Sequence, residues 1–157
     1  MNNSMEILNI KDINKLRREI QLIKKNEPNS NGEIAVLSQD DEFNRKALEI
    51  KGVNILVLNE SQELKDYSKQ RNSGLNEVLA KIAAKSNIKI GIDFDKIKLE
   101  DRLDKARSLA RLKQNIMLCK KAGTRLIFLT KGKEKKSLSS ILLSIGASTK
   151  QASEAFF

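Results

Sequence analysis

The sequence predicts an α/β protein in which a parallel sheet or partial barrel of about five strands carries its helices outside. Strand-length apolar stretches alternate with amphipathic helical ones in the order β-α-β-α-β-α-β-α-β, with helical ends. Residues 71–94, RNSGLNEVLAKIAAKSNIKIGIDF, pass from helix to strand through very few residues, as parallel α/β units do. Residues 53–58, VNILVL, form a nearly continuous apolar run, the mark of a strand covered on both faces. Five strands are too few to close an eight-stranded barrel.

Taken in order, residues 5–9 read as a short strand. In residues 11–26, Ile13, Leu16, Ile20 and Ile23 fall on one stripe, which predicts a helix. Residues 27–32 (EPNSNG) have turn chemistry, and 33–38 (EIAVLS) read as a strand. Asp40 and Asp41 suit the positive start of a helix reaching Lys51, with Gly52 expected at its C′ position. Residues 59–73 form the longest connection, and a loop of that length is more often functional than idle. In the next helix Leu75, Val78, Leu79, Ile82 and Ala83 form the apolar face, with Asn72 or Ser73 expected as cap. Ile88, Ile90 and Ile92 alternate as a strand around Gly91. Residues 95–101 are a loop, and a long helix follows to Ala122, with Leu109, Leu112, Ile116 and Cys119 on its core stripe. Gly123 stops that helix, 125–130 (RLIFLT) is the last strand, and 131–136 (KGKEKK) is a basic loop. Helices near 137–145 and 149–156 close the chain, Ser148 and Gln151 making a capping box.

At 157 residues the chain is expected to be a single domain, 1–157. No apolar run is long enough to span a bilayer, the first residues lack signal-peptide character, and the lone Cys119 suits a reducing compartment. A cytoplasmic protein without membrane contact is expected. The absence of histidine removes imidazole acid/base chemistry and histidine-containing metal sites. The net charge of +10 is lopsided: residues 1–68 hold 10 Lys+Arg against 12 Asp+Glu, and residues 69–157 hold 20 against 8. Such an excess is the footprint of a polyanionic partner, nucleic acid first among candidates, although lysine also serves simple solubility.

Parallel α/β folds place function at the strand C-termini. The loops leaving the third, fourth and fifth strands carry Lys69 and Arg71, then Lys96 and Lys98, then Lys131, Lys133 and Lys136. Arg107 and Arg111, four apart on the long helix, can span neighbouring phosphates or pair with acidic neighbours such as Asp104. These nine residues are the candidate RNA-binding set. Asp93 and Asp95 are the one candidate metal pair at a strand end, but such aspartates often cap backbone groups and the nearby lysines repel a dication. No catalytic residue and no protein-bound metal are assigned. Tyr67 alone places an aromatic ring among basic residues, which favours recognition of folded RNA by backbone and shape over stripping of single strands.

The -SGLNEVLAK- segment within residues 71–94, Arg107 and Arg111, NIMLCKKAGTRLIFLT and the ending LLSIGASTKQASEAFF together resemble archaeal ribonuclease P protein component 3. That family is related to the thirty-kilodalton subunit of the eukaryotic enzyme, and the resemblance covers about residues 33–157. It implies a TIM-barrel-like fold similar to polymerase-and-histidinol-phosphatase-type (PHP-like) hydrolases but without their metal ligands, here as an incomplete barrel. It also implies a non-catalytic protein subunit of an endoribonuclease whose RNA, holding Mg²⁺, removes the 5′ leader of precursor tRNA. The implied partners are ribonuclease P RNA and ribonuclease P protein component 2, in a heterodimer or heterotetramer. Other ribonuclease P proteins are implied too, with precursor tRNA met indirectly. Arg71, Arg107, Arg111 and Lys136 match basic family positions, Lys136 standing where an arginine is usual. Glu77 stands where a histidine is frequent. The reading of a different class is a freestanding metal-dependent phosphoesterase built on Asp93 and Asp95; a third is a basic scaffold that binds only protein.

Overall fold

The strand residues sort onto two apolar faces, and all the helices go to one of them. A computed structural model describes residues 5–28, 32–59, 65–97, 101–131 and 135–156. Its strands are β1 (Glu6–Leu8), β2 (Ile34–Leu37), β3 (Ile55–Leu58), β4 (Lys89–Asp93) and β5 (Leu126–Leu129). Each pairs in parallel with its predecessor in the chain, in the spatial order β1-β2-β3-β4-β5. The helices are α1 (Ile13–Asn26), α2 (Asp41–Leu48), α3 (Glu77–Lys85), α4 (Arg102–Ala122), α5 (Lys135–Ser144) and α6 (Thr149–Glu154). Val36, Leu56, Leu58, Ile90, Ile92 and Phe128 bury one face of the sheet beneath residues of all six helices. Ala35, Ile55, Val57 and Ile127 bury the other, with Met5, Ile7, Leu37 and Leu129 packed against them. Sequential winding with helices on one face is the pattern of a TIM-like barrel, not of a doubly wound sheet. Here the sheet is not closed.

Local chemistry sets the element ends. Asp12, Asp40, Asn76 and Asp101 cap α1, α2, α3 and α4, each accepting a first-turn N–H. The cap of α3 is therefore Asn76, not Asn72 or Ser73, because those residues face the loop. Val78, expected on the apolar face, is exposed. α2 stops at Leu48, and Gly52 lies beyond it with Lys24 and Ile20 pressed close. Lys135 and Lys136 belong to α5, so the basic loop after β5 is shorter than expected. Gly123, at φ +74°, ends α4 in the left-handed conformation that a side chain resists. The Ser148–Gln151 capping box forms as expected. Gln151 also donates to the Ile116 carbonyl at 3.0 Å, and Ala155 accepts the Phe128 N–H at 2.7 Å. The chain's last turn thus covers part of the outer edge of β5, which would otherwise offer unpaired backbone.

Two packing details are sensitive to substitution. Cys119 is fully buried on the sheet side of α4, and burial pushes its thiol up to about 12. It is expected to react with thiol reagents in native buffer only at the rate of global opening, so labelling should accelerate in parallel with denaturant-induced unfolding. Gly91 lies mid-strand, where an added Cβ would come within 3.0 Å of Ile55 Cγ2 and 3.2 Å of Val57 Cγ2. Both neighbours are β-branched and buried, and have little room to move. Gly91→Ala should destabilise the fold by about 1–3 kcal/mol, read as a lower denaturant midpoint with unchanged slope.

Candidate nucleic-acid interface

α4 is too long for the sheet it covers. Its 21 residues span about 30 Å, whereas the 5 residues of β4 rise roughly 13 Å. The helix ends at Gly123, immediately before β5, so the excess lies beyond the strand C-termini. Burial follows this geometry: Leu112, Asn115, Ile116 and Cys119 are buried, and no residue from 102 to 111 is. The projecting half carries Arg102, Lys105 and Arg107, all exposed, and Arg111 and Lys113 follow. Residues 102–113 hold five basic side chains against one acidic, Asp104. Arg107 reaches toward Asp104 at 3.8 Å and stays 62% exposed. A surface pair of this kind contributes little and leaves the guanidinium available. Arg102 and Lys105 were not singled out from the sequence, because the helix period marks only a solvated face there; the projection becomes visible through helix length.

Against the flank of this helix lies the segment 65–76, and the contact is polar. Asp66 accepts from the Asn72 N–H (2.9 Å), Arg71 Nη1 (3.0 Å) and Arg111 Nη2 (3.2 Å). Gln114 accepts the Arg71 N–H at 3.0 Å and returns a bond to the Arg71 carbonyl at 2.9 Å. Ser73 donates to Asn115 Oδ1 at 2.6 Å. Partial burial raises the Asp66 carboxyl, but the Asn72 N–H and the Arg71 and Arg111 guanidiniums outweigh it and hold the group below the ordinary aspartate range. One carboxylate thereby meets two guanidiniums, leaving net positive charge. Arg71 remains half exposed and Arg111 only 18%. The first can reach a partner directly; the second acts largely by fixing the loop.

The remaining basic candidates gather less tightly. Lys69 is exposed on the same loop and lines, with Asp66, Tyr67, Arg71 and Gln114, an open cleft of about 380 Å³. Lys96 is exposed after β4, with its ammonium 3.5 Å from Asp93. Lys131 and Lys136 are exposed after β5 and on α5. Lys98 and Lys133 lie outside the described residues. Asp93 and Asp95 are engaged in holding loops. Asp93 accepts the Asp95 N–H, and Asp95 accepts the Lys131 N–H at 2.6 Å and lies 3.2 Å from the Thr130 hydroxyl. Among the described residues no three acidic or cysteine side chains cluster as a metal site would need. No helix among them is long and apolar enough to cross a membrane.

The Asp66 contacts carry a pH signature. A carboxyl held below its unfolded value near 3.9 stabilises the docked loop fully above about pH 4 and less as pH falls through the folded value. Asp66→Asn should therefore show at pH 7 the lowered amide protection in residues 65–73, measured against the intrinsic exchange rate at each pH, that the unaltered chain shows only in acid. Unchanged exchange would mean that the Gln114 bonds suffice.

No family model matches the chain, and no curated protein matches it in sequence. In fold it is similar to one chain of an archaeal ribonuclease P, in a cryo-electron microscopy structure of that enzyme with mature tRNA. The TM-score is 0.74 at 22% identity. The superposition takes in 94% of this chain and 62% of that one, so the chain spans somewhat under two thirds of its neighbour's length. The likeness establishes a TIM-barrel-like α/β fold, with a parallel five-stranded sheet flanked by helices and left open.

Proposed function

We propose that the chain is a protein subunit of a ribonuclease P, supporting a catalytic RNA in removing the 5′ leader of precursor tRNA without performing the hydrolysis itself. The observation that carries this reading is the projecting basic half of α4 with the Arg71 loop pinned to its flank. It forms a positively charged ridge on a fold like that of a chain in archaeal ribonuclease P. An RNA backbone suits such a ridge, because guanidiniums and ammoniums spaced along a helix neutralise successive phosphates and release their counterions. Arg71, Arg107, Lys69, Lys96, Lys131 and Lys136 would supply contacts, with Lys98 and Lys133 part of the same expectation, and Arg111 would hold Asp66 and the loop in place. The protein partner would be a ribonuclease P protein component 2, and Mg²⁺ would belong to the RNA.

Reconstitution is the direct test: the chain, component 2 and a cognate ribonuclease P RNA should remove a 5′ leader faster than the RNA with component 2 alone. No stimulation at any Mg²⁺ concentration overturns the reading. Salt dependence of RNA binding separates the two arginines. Arg107→Ala should lower the slope of log K against log salt by roughly 0.7–0.9, the value of one lost phosphate contact, at unchanged melting temperature. Arg111→Ala should instead loosen residues 65–73 in hydrogen exchange, leaving Asp66 with one guanidinium.

A further inference from the structure

Tyr67 is the one aromatic ring among the described residues without a place in the core. Phe43, Phe94 and Phe128 are buried, and Phe156 packs on Phe128 at 6.1 Å between ring centroids. Tyr67 is 63% exposed and lines the cleft with Lys69 and Arg71. We propose that this cleft takes one unpaired nucleotide of an RNA, its base stacked on Tyr67 and its phosphate met by Lys69 and Arg71. The inference rests on the RNA-binding reading above and adds a recognised feature: an unpaired base in a bulge or loop.

The backbone that carries the ring is tied down. Tyr67 donates its N–H to the Gln70 carbonyl at 2.9 Å, closing a tight turn. On one side Asp66 is fixed by Asn72, Arg71 and Arg111. On the other, Gln114 clasps the Arg71 backbone in both directions. Little backbone ordering therefore remains to be done when a base arrives, and pre-organisation of this kind strengthens binding. Asp66 in the cleft would repel a phosphate, but Arg71 and Arg111 both reach it, and Lys69 adds a further cation. The cleft's 380 Å³ falls at the small end of the range for ligand cavities, roughly 300–1,000 Å³. Since Gln114 engages both ends of its amide with Arg71, it has no free edge for reading base identity. Stacking tolerates every base, and folded RNAs display unpaired bases in bulges and loops.

The sequence supplies its own probe, because Tyr67 is the chain's sole tyrosine and there is no tryptophan. Tyrosine emission therefore reports this ring alone. A short RNA hairpin with one bulged adenosine is compared with the same hairpin carrying an abasic bulge. The bulged adenosine should quench Tyr67 emission and bind roughly fivefold or more tightly than the abasic control. Tyr67→Ala should erase that preference at unchanged melting temperature, and Tyr67→Phe should keep it. If both hairpins bind alike without quenching, the stacking site is wrong while the RNA-binding reading stands. If neither binds at low salt, the RNA-binding reading falls and this inference with it. If Tyr67→Ala leaves the adenosine preference intact but weakens binding of component 2, the ring serves a protein contact and the proposal is overturned.

Discussion

A helix of 21 residues lies against strands of four and five, and that mismatch governs much of the surface. Covering the sheet requires only the part of α4 from Leu112 to Cys119, where every one of its buried residues falls. Residues 102–111 contribute no buried residue and face largely toward water. Solubility alone would be served by mixed charge. Five basic side chains against one acidic in residues 102–113 exceed that need, and the excess makes a surface that attracts a polyanion. The segment after β3 docks where the projecting and sheet-covering parts of α4 meet, on Arg111, Gln114 and Asn115.

That docking is polar, which has consequences for rigidity. Directed bonds at Asp66, Gln114 and Asn115 fix the register of the loop on the helix. Asp66 occupies a site with two guanidiniums within 3.2 Å, where its charge is matched rather than left to repel a ligand. The cluster is only partly shielded from water, so each contact is individually modest and the set acts through number. Arg71 is oriented without being neutralised, since the carboxylate it touches is shared with Arg111.

Much of the fold was legible in the sequence because local signals and packing agree. The Ser148 capping box and the Gly123 stop rest on interactions within a few residues, and β3 shows its burial on both faces directly as an unbroken apolar run. Val78 was misplaced by the helix period, and the α3 cap was misplaced among several side chains able to cap. Asn76 competes better than Asn72 or Ser73 because the latter two bond across to Lys65 and Asn115. The candidate site was less legible for a related reason. Arg71 and Arg111 could be named as cations, but their meeting at Asp66 joins residues 45 and 5 positions apart. No periodicity encodes such a contact. Likewise the projection of α4 depends on comparing two element lengths in space, not on any residue type.

The stretch that carries the family resemblance turns out to be mainly structural. In -SGLNEVLAK-, Ser73 anchors to α4, Leu75 and Leu79 are buried, Asn76 caps α3, and Glu77 reaches Lys81 and Lys121. The closing segment behaves the same way: Gln151 ties α6 to α4 and Ala155 caps β5. Both therefore serve to hold α4 and the loop in one arrangement. Arg71 is oriented by Asp66, whereas Lys69, Lys131 and Lys136 stand exposed where the fold places little demand on which basic residue is present. Lys136 is exposed, so an arginine in its place would leave the packing of the scaffold unchanged. Recognition of a polyanion's backbone by charge would tolerate such an exchange better than recognition by a shaped pocket.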